Sequence, residues 1–437
     1  MDRITRHLDY IPLPIVLLVA VAGLVTAVMF PKKHGLSVSL AVSAAWLNLN
    51  RFSRLGALSS VSKATFWLPL IAVTYFAMAH PGPKRKVPLL AWVYMIVPVI
   101  GCVCVARAED AALGFVQFAT MFLSAMAAIA VYRIIDSEVA LVQVMKMTFL
   151  GLLVPIAVSL IALAFFRSMS FIPGLGRFGP FGMIPNQLVP ILAPAMCFAA
   201  CGFLILKSPI LRIVCIATIG CCFALLMATG SRQGVVVAGI VVLPTLAWVT
   251  RRPILMMSAA VIAIGVAGWT FAYTEGIAST DRLTDFTNTS GRFDMALHYL
   301  EAFRDRPVAG LLGTSGMSVL RDDTATHISH NSYLAMLYNG GLLLGFPLAL
   351  AMTATIYSIA VVLMNRRRFA INPAILWSLA ALMVAIYLQG LVSDMAYWSV
   401  SSWTFMHYFL SCLFMGLAKE VKSYNFSSVG HYHHSPA

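Results

Sequence analysis

The strongest constraint on this chain is a long series of apolar stretches divided by short polar segments. They cover residues 11–30, 36–49, 64–79, 87–106, 112–132, 147–166, 188–206, 211–229, 234–250, 254–273, 333–364, 374–392 and 397–417. A helix that crosses the hydrocarbon core of a bilayer needs about 20 mostly apolar residues. A single water-soluble core stops growing at about 250–300 residues, so it cannot enclose this much apolar sequence. The pattern predicts a polytopic integral membrane protein.

Composition agrees with this fold class. Only 11% of the 437 residues are charged, against about 25% in an ordinary soluble domain. We therefore predict an all-α fold with about 12 transmembrane helices. The stretch 36–49 is the weakest of the series, and a re-entrant or interfacial segment is the alternative there. The topology of the first 60 residues stays open.

The eight cysteines lie inside apolar stretches, where cysteine acts as a small hydrophobic residue. They are Cys102, Cys104, Cys197, Cys201, Cys215, Cys221, Cys222 and Cys412. Their spacing fits neither a disulfide framework nor a cysteine metal site, so we expect neither.

The net charge of +14 is compatible with a nucleic-acid partner. The basic residues, however, form short clusters between apolar stretches, at Lys84–Lys86, Arg251-Arg252 and Arg366–Arg368. Such clusters are typical of cytoplasmic loops of membrane proteins, so we expect membrane lipids rather than nucleic acid as partners. With these basic clusters in the cytoplasm, we expect residues 274–331 on the outer face of the membrane and the C-terminus on the cytoplasmic side.

Residues 274–331 form a polar loop that differs from the rest of the chain. The loop holds 8 of the 16 acidic residues, together with five arginines and no lysine. Long loops of this kind tend to carry function. We therefore divide the chain into transmembrane helices at 1–273, a periplasmic loop at 274–331, and last helices with a short tail at 332–437.

The loop contains an amphipathic helix by its apolar periodicity. Phe293, Leu297, Leu300 and Phe303 recur at helical spacing. Ser290 is the expected N-cap, and Pro307 is expected to end the helix.

Two arginines are the first candidates for chemistry. Arg232 lies in Thr229-Gly230-Ser231-Arg232, between two apolar helices, where a cation near the hydrocarbon is costly unless it is paired or functional. Arg292 lies in the first turn of the loop helix, where an anion would interact favourably with the helix dipole. A lipid-interface role for Arg232 and a solvated ion pair for Arg292 are the alternatives.

Two further candidates flank these arginines. Arg177 belongs to a Gly- and Pro-rich segment at residues 176–187, which predicts a folded surface loop. His330 opens the helix that follows the polar loop, and a helix N-terminus favours its neutral, proton-accepting form. His327, one turn earlier, competes with it, and an interfacial structural histidine is the alternative for both.

Weaker signals remain. Asp322-Asp323 is a possible cation site, although a solvated acidic turn is favoured. Asp394 and Lys146 are isolated ionisable residues near or inside apolar stretches. Such residues are candidates for a transport pathway, but two isolated ones are a weak signal. The histidines at 431–434 indicate a tail, and Gly340-Gly341 predicts a kink in the helix after His330.

The order of these motifs resembles the O-antigen ligase and polymerase superfamily of bacterial envelope proteins. The resemblance rests on segments 176–187, 229–232, 290–292 and 330–334, followed by Gly340-Gly341. It implies a GT-C-like membrane glycosyltransferase without metal or other cofactor, in the Gram-negative inner membrane. The donor would be a glycan on undecaprenyl diphosphate, and lipid A–core would be the acceptor.

The resemblance also implies roles for individual residues. Arg232 and Arg292 would bind the diphosphate, with Arg177 as a less certain third contact, and His330 would be the catalytic base. The ligase is favoured over the polymerase because the histidine and the arginines fit the ligase pattern. The protein O-oligosaccharyltransferases are disfavoured because only about 20 residues follow the last apolar stretch. A solute or lipid transporter is the alternative from another class, although we find no internal repeat.

Overall fold

The computed structural model describes residues 32–106, 111–172, 176–250, 292–310, 331–392 and 401–429. These segments are almost entirely helical. The helices are α1 (Lys32–Leu49), α2 (Ala57–Thr65), α3 (Trp67–Met78), α4 (Val93–Val105), α5 (Ala111–Arg133), α6 (Glu138–Phe165), α7 (Arg167–Ser170), α8 (Val189–Ile205), α9 (Pro209–Ala228), α10 (Arg232–Thr250), α11 (Arg292–Asp305), α12 (Ser332–Met364), α13 (Pro373–Val392) and α14 (Ser402–Val429).

The remaining regular structure is short. Strands β1 (Phe171–Ile172) and β2 (Arg177–Phe178) pair antiparallel. Single turns of 3₁₀ helix lie at Ser53–Leu55, Leu89–Trp92, Pro180–Gly182, Pro185–Leu188 and Arg366–Arg368.

The helices follow the predicted apolar stretches. Stretches 11–30 and 254–273 lie outside the described residues, and the others fall on helices. The weak stretch 36–49 belongs to a continuous helix of 18 residues, which packs along α6. Such a helix is about 27 Å long. It is not among the described segments that are apolar enough to cross a membrane, so the re-entrant or interfacial alternative stays open.

Six described segments are long and apolar enough to cross a membrane. They are Gly114–Arg133, Glu138–Phe165, Pro185–Ile205, Pro209–Ala228, Gly340–Met364 and Pro373–Leu391. Three shorter apolar helices accompany them, at Trp67–Met78, Leu89–Val105 and Gln233–Val242. The chain is thus an all-α membrane protein, while the number of about 12 crossings stays a prediction.

Apolar side chains occupy both the inside and the outside of the bundle. In α8, every residue from Val189 to Cys201 is buried. On the outside, Val103 is 71% exposed, Ile213 65% and Phe346 64%. Exposed apolar side chains on this scale mark an interaction surface, as expected for a helical membrane protein.

One end of the bundle is held by charged residues. The guanidinium of Arg85 forms an ion pair with the carboxylate of Glu420 at 3.3 Å. The backbone N–H of Arg85 donates to the carbonyl of Arg133 at 2.7 Å. The carboxylate of Glu138 accepts a hydrogen bond from the backbone N–H of Asn372. We call this the basic end, because it also carries Arg366–Arg368.

The opposite end is built from turns. The hydroxyl of Ser53 donates to the carbonyl of Gly182 at 3.1 Å. At the start of α14, the hydroxyl of Ser402 meets the side-chain oxygen of Asn48 at 3.3 Å and the carbonyl of Pro190 at 3.4 Å. We call this the loop end. It lies opposite the basic end because α14 begins here and reaches Glu420 about 18 residues later.

Candidate functional site

Arg177 ties together three segments at the loop end. It lies in β2, and its Nε donates to the carbonyl of Thr229 at 2.9 Å. Its Nη2 donates to the side-chain oxygen of Asn186 at 3.0 Å. Two of the motifs singled out in the sequence, 176–187 and 229–232, are therefore in direct contact.

The turn that Arg177 contacts is fixed by its own hydrogen bonds. Gly230 has a φ of +59°, a conformation that glycine adopts without strain. The hydroxyl of Thr229 donates to the carbonyl of Leu226 at 2.6 Å and accepts from the N–H of Ser231 at 3.2 Å. This turn ends α9 and orients the chain for α10.

Arg232 is the first residue of α10, and the structure describes its backbone. The hydroxyl of Ser231 accepts from the N–H of Gly234 at 3.3 Å, as an N-cap does. A basic residue in the first turn opposes the helix dipole. An anion bound at this end would reverse the effect, because the dipole and the free N–H groups both favour negative charge.

The segment 176–187 is a folded surface loop, as its glycines and prolines predicted. Phe181 has a φ of +46°, unusual for a bulky residue, and Gly182 has a φ of +79°. A Cβ on Gly182 would lie 2.5 Å from the hydroxyl oxygen of Ser53. The turn therefore holds the loop tightly against the Ser53–Leu55 turn.

The predicted loop helix is confirmed as α11, and it packs on α12. The ring of Tyr299 meets that of Tyr338 edge to face, with centroids 4.5 Å apart. Just beyond the end of α11, the carbonyl of Pro307 accepts a hydrogen bond from the N–H of Leu342 in α12 at 2.8 Å. These contacts follow the same order in both helices, so α11 and α12 run side by side in the same direction.

The ring contact lies equally far along both helices. Arg292, the first residue of α11, precedes Tyr299 by seven residues, and Asn331 precedes Tyr338 by seven residues. His330 directly precedes Asn331 in the chain.

The start of α12 is a well-formed cap. The side-chain oxygen of Asn331 accepts from the N–H groups of Tyr333 at 3.0 Å and Leu334 at 3.1 Å. The hydroxyl of Tyr333 donates to the carbonyl of Tyr387 at 2.7 Å, which anchors this turn on α13. Helix α13 also packs against α10, the helix that begins with Arg232.

The kink expected at Gly340-Gly341 is confirmed. Gly341 has φ +55° and ψ −156°, which interrupts the helix. The interruption lets the N–H groups of Leu342 and Leu343 bond the carbonyls of Pro307 and Val308, at 2.8 and 2.9 Å. A Cβ on Gly341 would lie 2.4 Å from the carbonyl oxygen of Val308, so only glycine permits this docking.

Part of the predicted apolar stripe of the loop helix is exposed. Leu297 and Leu300 belong to the expected apolar stripe, but each is 45% exposed. The residue that packs on α12 is Tyr299, which is 2% exposed. The helix ends at Asp305, two residues before Pro307, as predicted.

Several candidates lie outside the described residues. These are His330, His327, Ser290, Asp322, Asp323, Asp394 and the histidines at 431–434. Among the residues that the structure describes, no group of three or more His, Cys, Asp or Glu side chains is placed to hold a metal ion. Lys146 is described and is exposed on α6.

Sequence reasoning did not assign roles to two residues that the structure brings into the site. Asn186 and Thr229 belong to motifs that the sequence singles out, and both accept hydrogen bonds from Arg177. The sequence does contain a signal for both residues. Each lies within a Gly-rich break between apolar helices, where polar acceptors are needed to fix a turn.

Comparison with known proteins adds no relative. The chain matches no protein-family model, and no curated protein matches its sequence. The fold and its exposed apolar surface define a helical membrane protein. Its distinctive feature is an end where motifs distant in sequence converge.

Proposed function

We propose that this chain is an inverting, metal-independent glycosyltransferase that transfers a glycan from undecaprenyl diphosphate to lipid A–core, that is, an O-antigen ligase. The observation that supports this most is the convergence at the loop end. Arg177 contacts the turn that starts α10 at Arg232. Arg292 begins α11, which packs on α12 through Tyr299 and Tyr338.

The diphosphate is the group that this convergence suits. Negative charge grows on the diphosphate as its bond to the sugar breaks, and something must stabilise that charge. Guanidinium groups pair with phosphate oxygens through two parallel hydrogen bonds. Arg232 and Arg292 each begin a helix, so the helix dipole adds to the attraction of an anion.

Arg177 has two roles in this proposal. Through Thr229 and Asn186 it orders the turn before Arg232. Its positive charge also contributes to the field that attracts the diphosphate. Arg177 therefore positions Arg232 in addition to binding the donor.

His330 acts on the acceptor. As the acceptor hydroxyl oxygen attacks the anomeric carbon of the donor sugar, its proton passes to the imidazole of His330. The bond between that carbon and the diphosphate oxygen breaks at the same time, and the electron pair leaves with undecaprenyl diphosphate. A single displacement inverts the anomeric carbon.

The proposal includes an orientation. The basic end carries Arg366–Arg368, and the segment Lys84–Lys86 is bonded to it through Arg85. Basic clusters of this kind favour the cytoplasmic side. The loop end then faces the periplasm of a Gram-negative inner membrane, where lipid-linked glycan and lipid A–core would both be present. The polymerase of the same superfamily is the second candidate, and the acceptor distinguishes the two.

The test is transfer by the purified protein in liposomes. The donor is a glycan on undecaprenyl diphosphate, and the acceptor is either lipid A–core or a second lipid-linked repeat unit. Transfer to lipid A–core supports the ligase. Chain growth on the lipid-linked unit alone would make the protein a polymerase, and transfer to neither would contradict the proposal.

The orientation has its own test. An engineered cysteine at Thr280 should react with a membrane-impermeant thiol reagent added to intact spheroplasts. The matched control is a cysteine at Arg367, which should react only after the membrane is opened. Protection of position 280 in intact spheroplasts would contradict the orientation and the function with it.

A further inference from the structure

The last turn of α13 lies next to two helix starts of the candidate site. Helix α13 begins at the basic end, so it ends at the loop end. There the carbonyl of Tyr387 accepts from the hydroxyl of Tyr333 in the first turn of α12. A Cβ on Gly390 would lie 3.2 Å from the same hydroxyl oxygen. Helix α13 also packs along α10, which begins at the loop end with Arg232.

This turn of α13 carries an enclosed side-chain amide. Gln389 is 0% exposed, and neither its Oε1 nor its Nε2 has a hydrogen-bond partner among the described residues. It shares one face of the helix with Ala385 and Leu382, four and seven residues earlier, which are both buried. The exposed residues Leu388 and Leu391 lie on another face. The amide of Gln389 therefore points into the bundle, about 4.5 Å before the end of α13.

A second amide at this end is in the same situation. Gln233 is the second residue of α10, and its Nε2 is enclosed without an acceptor in the described part of the chain. A buried polar group without a partner costs free energy, and folded proteins leave few of them. Two such amides near the same end of two packed helices indicate that a polar ligand completes their hydrogen bonds.

The chemistry of the amide selects the part of the ligand. A primary amide needs both a donor and an acceptor as partners. Phosphate oxygens at neutral pH only accept, so a diphosphate would satisfy the Nε2 of Gln389 and leave its Oε1 unpaired. A sugar hydroxyl both donates and accepts. In the proposed reaction, the donor sugar lies between the diphosphate at the start of α10 and the base that precedes α12, which is where α13 ends.

We infer that Gln389 binds the donor sugar attached to the diphosphate, with its Oε1 accepting from a sugar hydroxyl and its Nε2 donating to a sugar oxygen. The inference rests on the proposed function and adds to it a residue that recognises the sugar. A site built to pair with a substrate hydroxyl discriminates against ligands that lack it, because its polar groups then stay unpaired. Gln389 thus distinguishes a glycan-bearing lipid from the bare lipid diphosphate.

Lipid binding by the Gln389→Met variant tests the inference. Methionine has a similar length and no amide. The full-length protein is reconstituted in liposomes, and its affinity is measured for a glycan on undecaprenyl diphosphate and for undecaprenyl diphosphate without sugar. The thermal midpoint is measured without lipid. Ser124→Ala is the matched control, because that hydroxyl on α5 is also buried without a partner in the described segments and lies nine residues before Arg133 at the basic end.

Gln389→Met should weaken binding of the glycan-bearing lipid by about tenfold. Its affinity for the sugar-free lipid should equal that of the wild type, because the diphosphate contacts are unchanged. The thermal midpoint should stay the same or rise, since the substitution breaks no hydrogen bond within the protein. Ser124→Ala should leave both affinities unchanged.

Three results would overturn the inference and leave the proposed function standing. Gln389→Met could bind the glycan-bearing lipid as the wild type does, or it could lose the same affinity for both lipids. A lower thermal midpoint would show that the amide has a partner within the protein. A wild type that binds neither lipid would instead contradict the proposed function, and the inference with it.

Discussion

The two ends of the bundle hold their arginines in different ways. At the basic end, Arg85 pairs with the carboxylate of Glu420, and the side chains are 20% and 47% exposed. At the loop end, Arg177 donates to a backbone carbonyl and to the amide oxygen of Asn186. A carboxylate partner neutralises a guanidinium, whereas a neutral acceptor orients it and leaves its charge in place.

The two kinds of partner indicate which end of the bundle is suited to bind an anion. Ion pairs between partly exposed groups contribute little to stability and attract no further anion. A guanidinium held in a fixed orientation next to the start of a helix can pair with a phosphate. We propose that the anionic substrate binds at the loop end, so variants at the two ends should differ in their effect on transfer.

The largest effect is expected at His330. Replacing His330→Ala removes the general base, which typically contributes about 10²–10⁴ in rate, while donor binding persists. The matched variant is His327→Ala, which should keep substantial activity. Transfer and donor binding are measured separately in liposomes. A fully active His330→Ala enzyme beside an inactive His327→Ala enzyme would move the base by one turn, and two active variants would remove the base from the mechanism.

The arginines at the helix starts come next. Lysine keeps the charge of Arg232 and Arg292 but loses the two-pronged geometry. Each Arg→Lys change should lower transfer by about 10²–10³, the usual effect of removing one preorganised charge-stabilising group. The protein should still insert in the membrane and elute as the wild type does. Arg367→Lys at the basic end is the control. An equal loss of transfer in that variant would contradict the proposal that only the loop end binds the diphosphate.

A smaller effect is expected at Gly341. Alanine there must adopt a conformation reserved for glycine, at a cost of about 1–3 kcal/mol, and its Cβ meets the carbonyl of Val308. The docking of α11 should loosen, so transfer falls. Gly220→Ala is the control, because a Cβ there meets nothing within 4 Å. Proteolysis of the segment near Pro307 reports the docking directly, and wild-type protection in Gly341→Ala would contradict this reading of the kink.

Asn186 is expected to have a moderate effect. Asn186→Ala removes one of the acceptors that orient Arg177. A hydrogen bond of this kind is worth about 1 kcal/mol, so transfer should fall by roughly tenfold or less. Asn365→Ala is matched at the basic end, where the amide bonds the carbonyl of Val361. It should leave transfer unchanged, and a larger loss from Asn365→Ala than from Asn186→Ala would reverse the comparison.

The smallest effect is expected at Glu420. Glu420→Gln breaks the ion pair with Arg85, which lies partly in solvent. Such pairs contribute about 0–1 kcal/mol, so the thermal midpoint in detergent should shift only slightly and transfer should stay at the wild-type level. A collapse of transfer in this variant would show that the basic end takes part in the reaction.

The described helices could largely be predicted from the sequence, because long apolar stretches have few alternatives in a membrane. Their ends were less accurate: α6 begins nine residues before the stretch 147–166, and α14 extends twelve residues beyond the stretch 397–417. The face that each helix buries could not be predicted from the sequence. In a soluble protein, Leu297 and Leu300 would mark the packed face of α11, but a membrane protein also exposes apolar side chains to lipid. Periodicity alone therefore identified the helix and not its packed residue, Tyr299.

The site could be predicted in parts. Gly- and Pro-rich breaks located the turns around Arg177 and Arg232, because such turns need glycine and polar acceptors. Their contact through Thr229 could not be predicted, since it joins residues 52 positions apart. The contact of Pro307 and Val308 with the kink could not be predicted either. A Gly-Gly pair predicts that a helix is interrupted, but not which segment bonds to the exposed backbone groups.

Metal-independent transfer that depends on Arg232 can be measured in a single experiment. The purified protein in liposomes receives a glycan on undecaprenyl diphosphate and lipid A–core, with excess EDTA throughout, and the Arg232→Lys variant is run beside it. The account predicts that the wild type transfers the glycan to lipid A–core in EDTA and that the variant loses at least about 10²-fold. Transfer that stops in EDTA and returns with Mg²⁺, or that persists undiminished in Arg232→Lys, would contradict it.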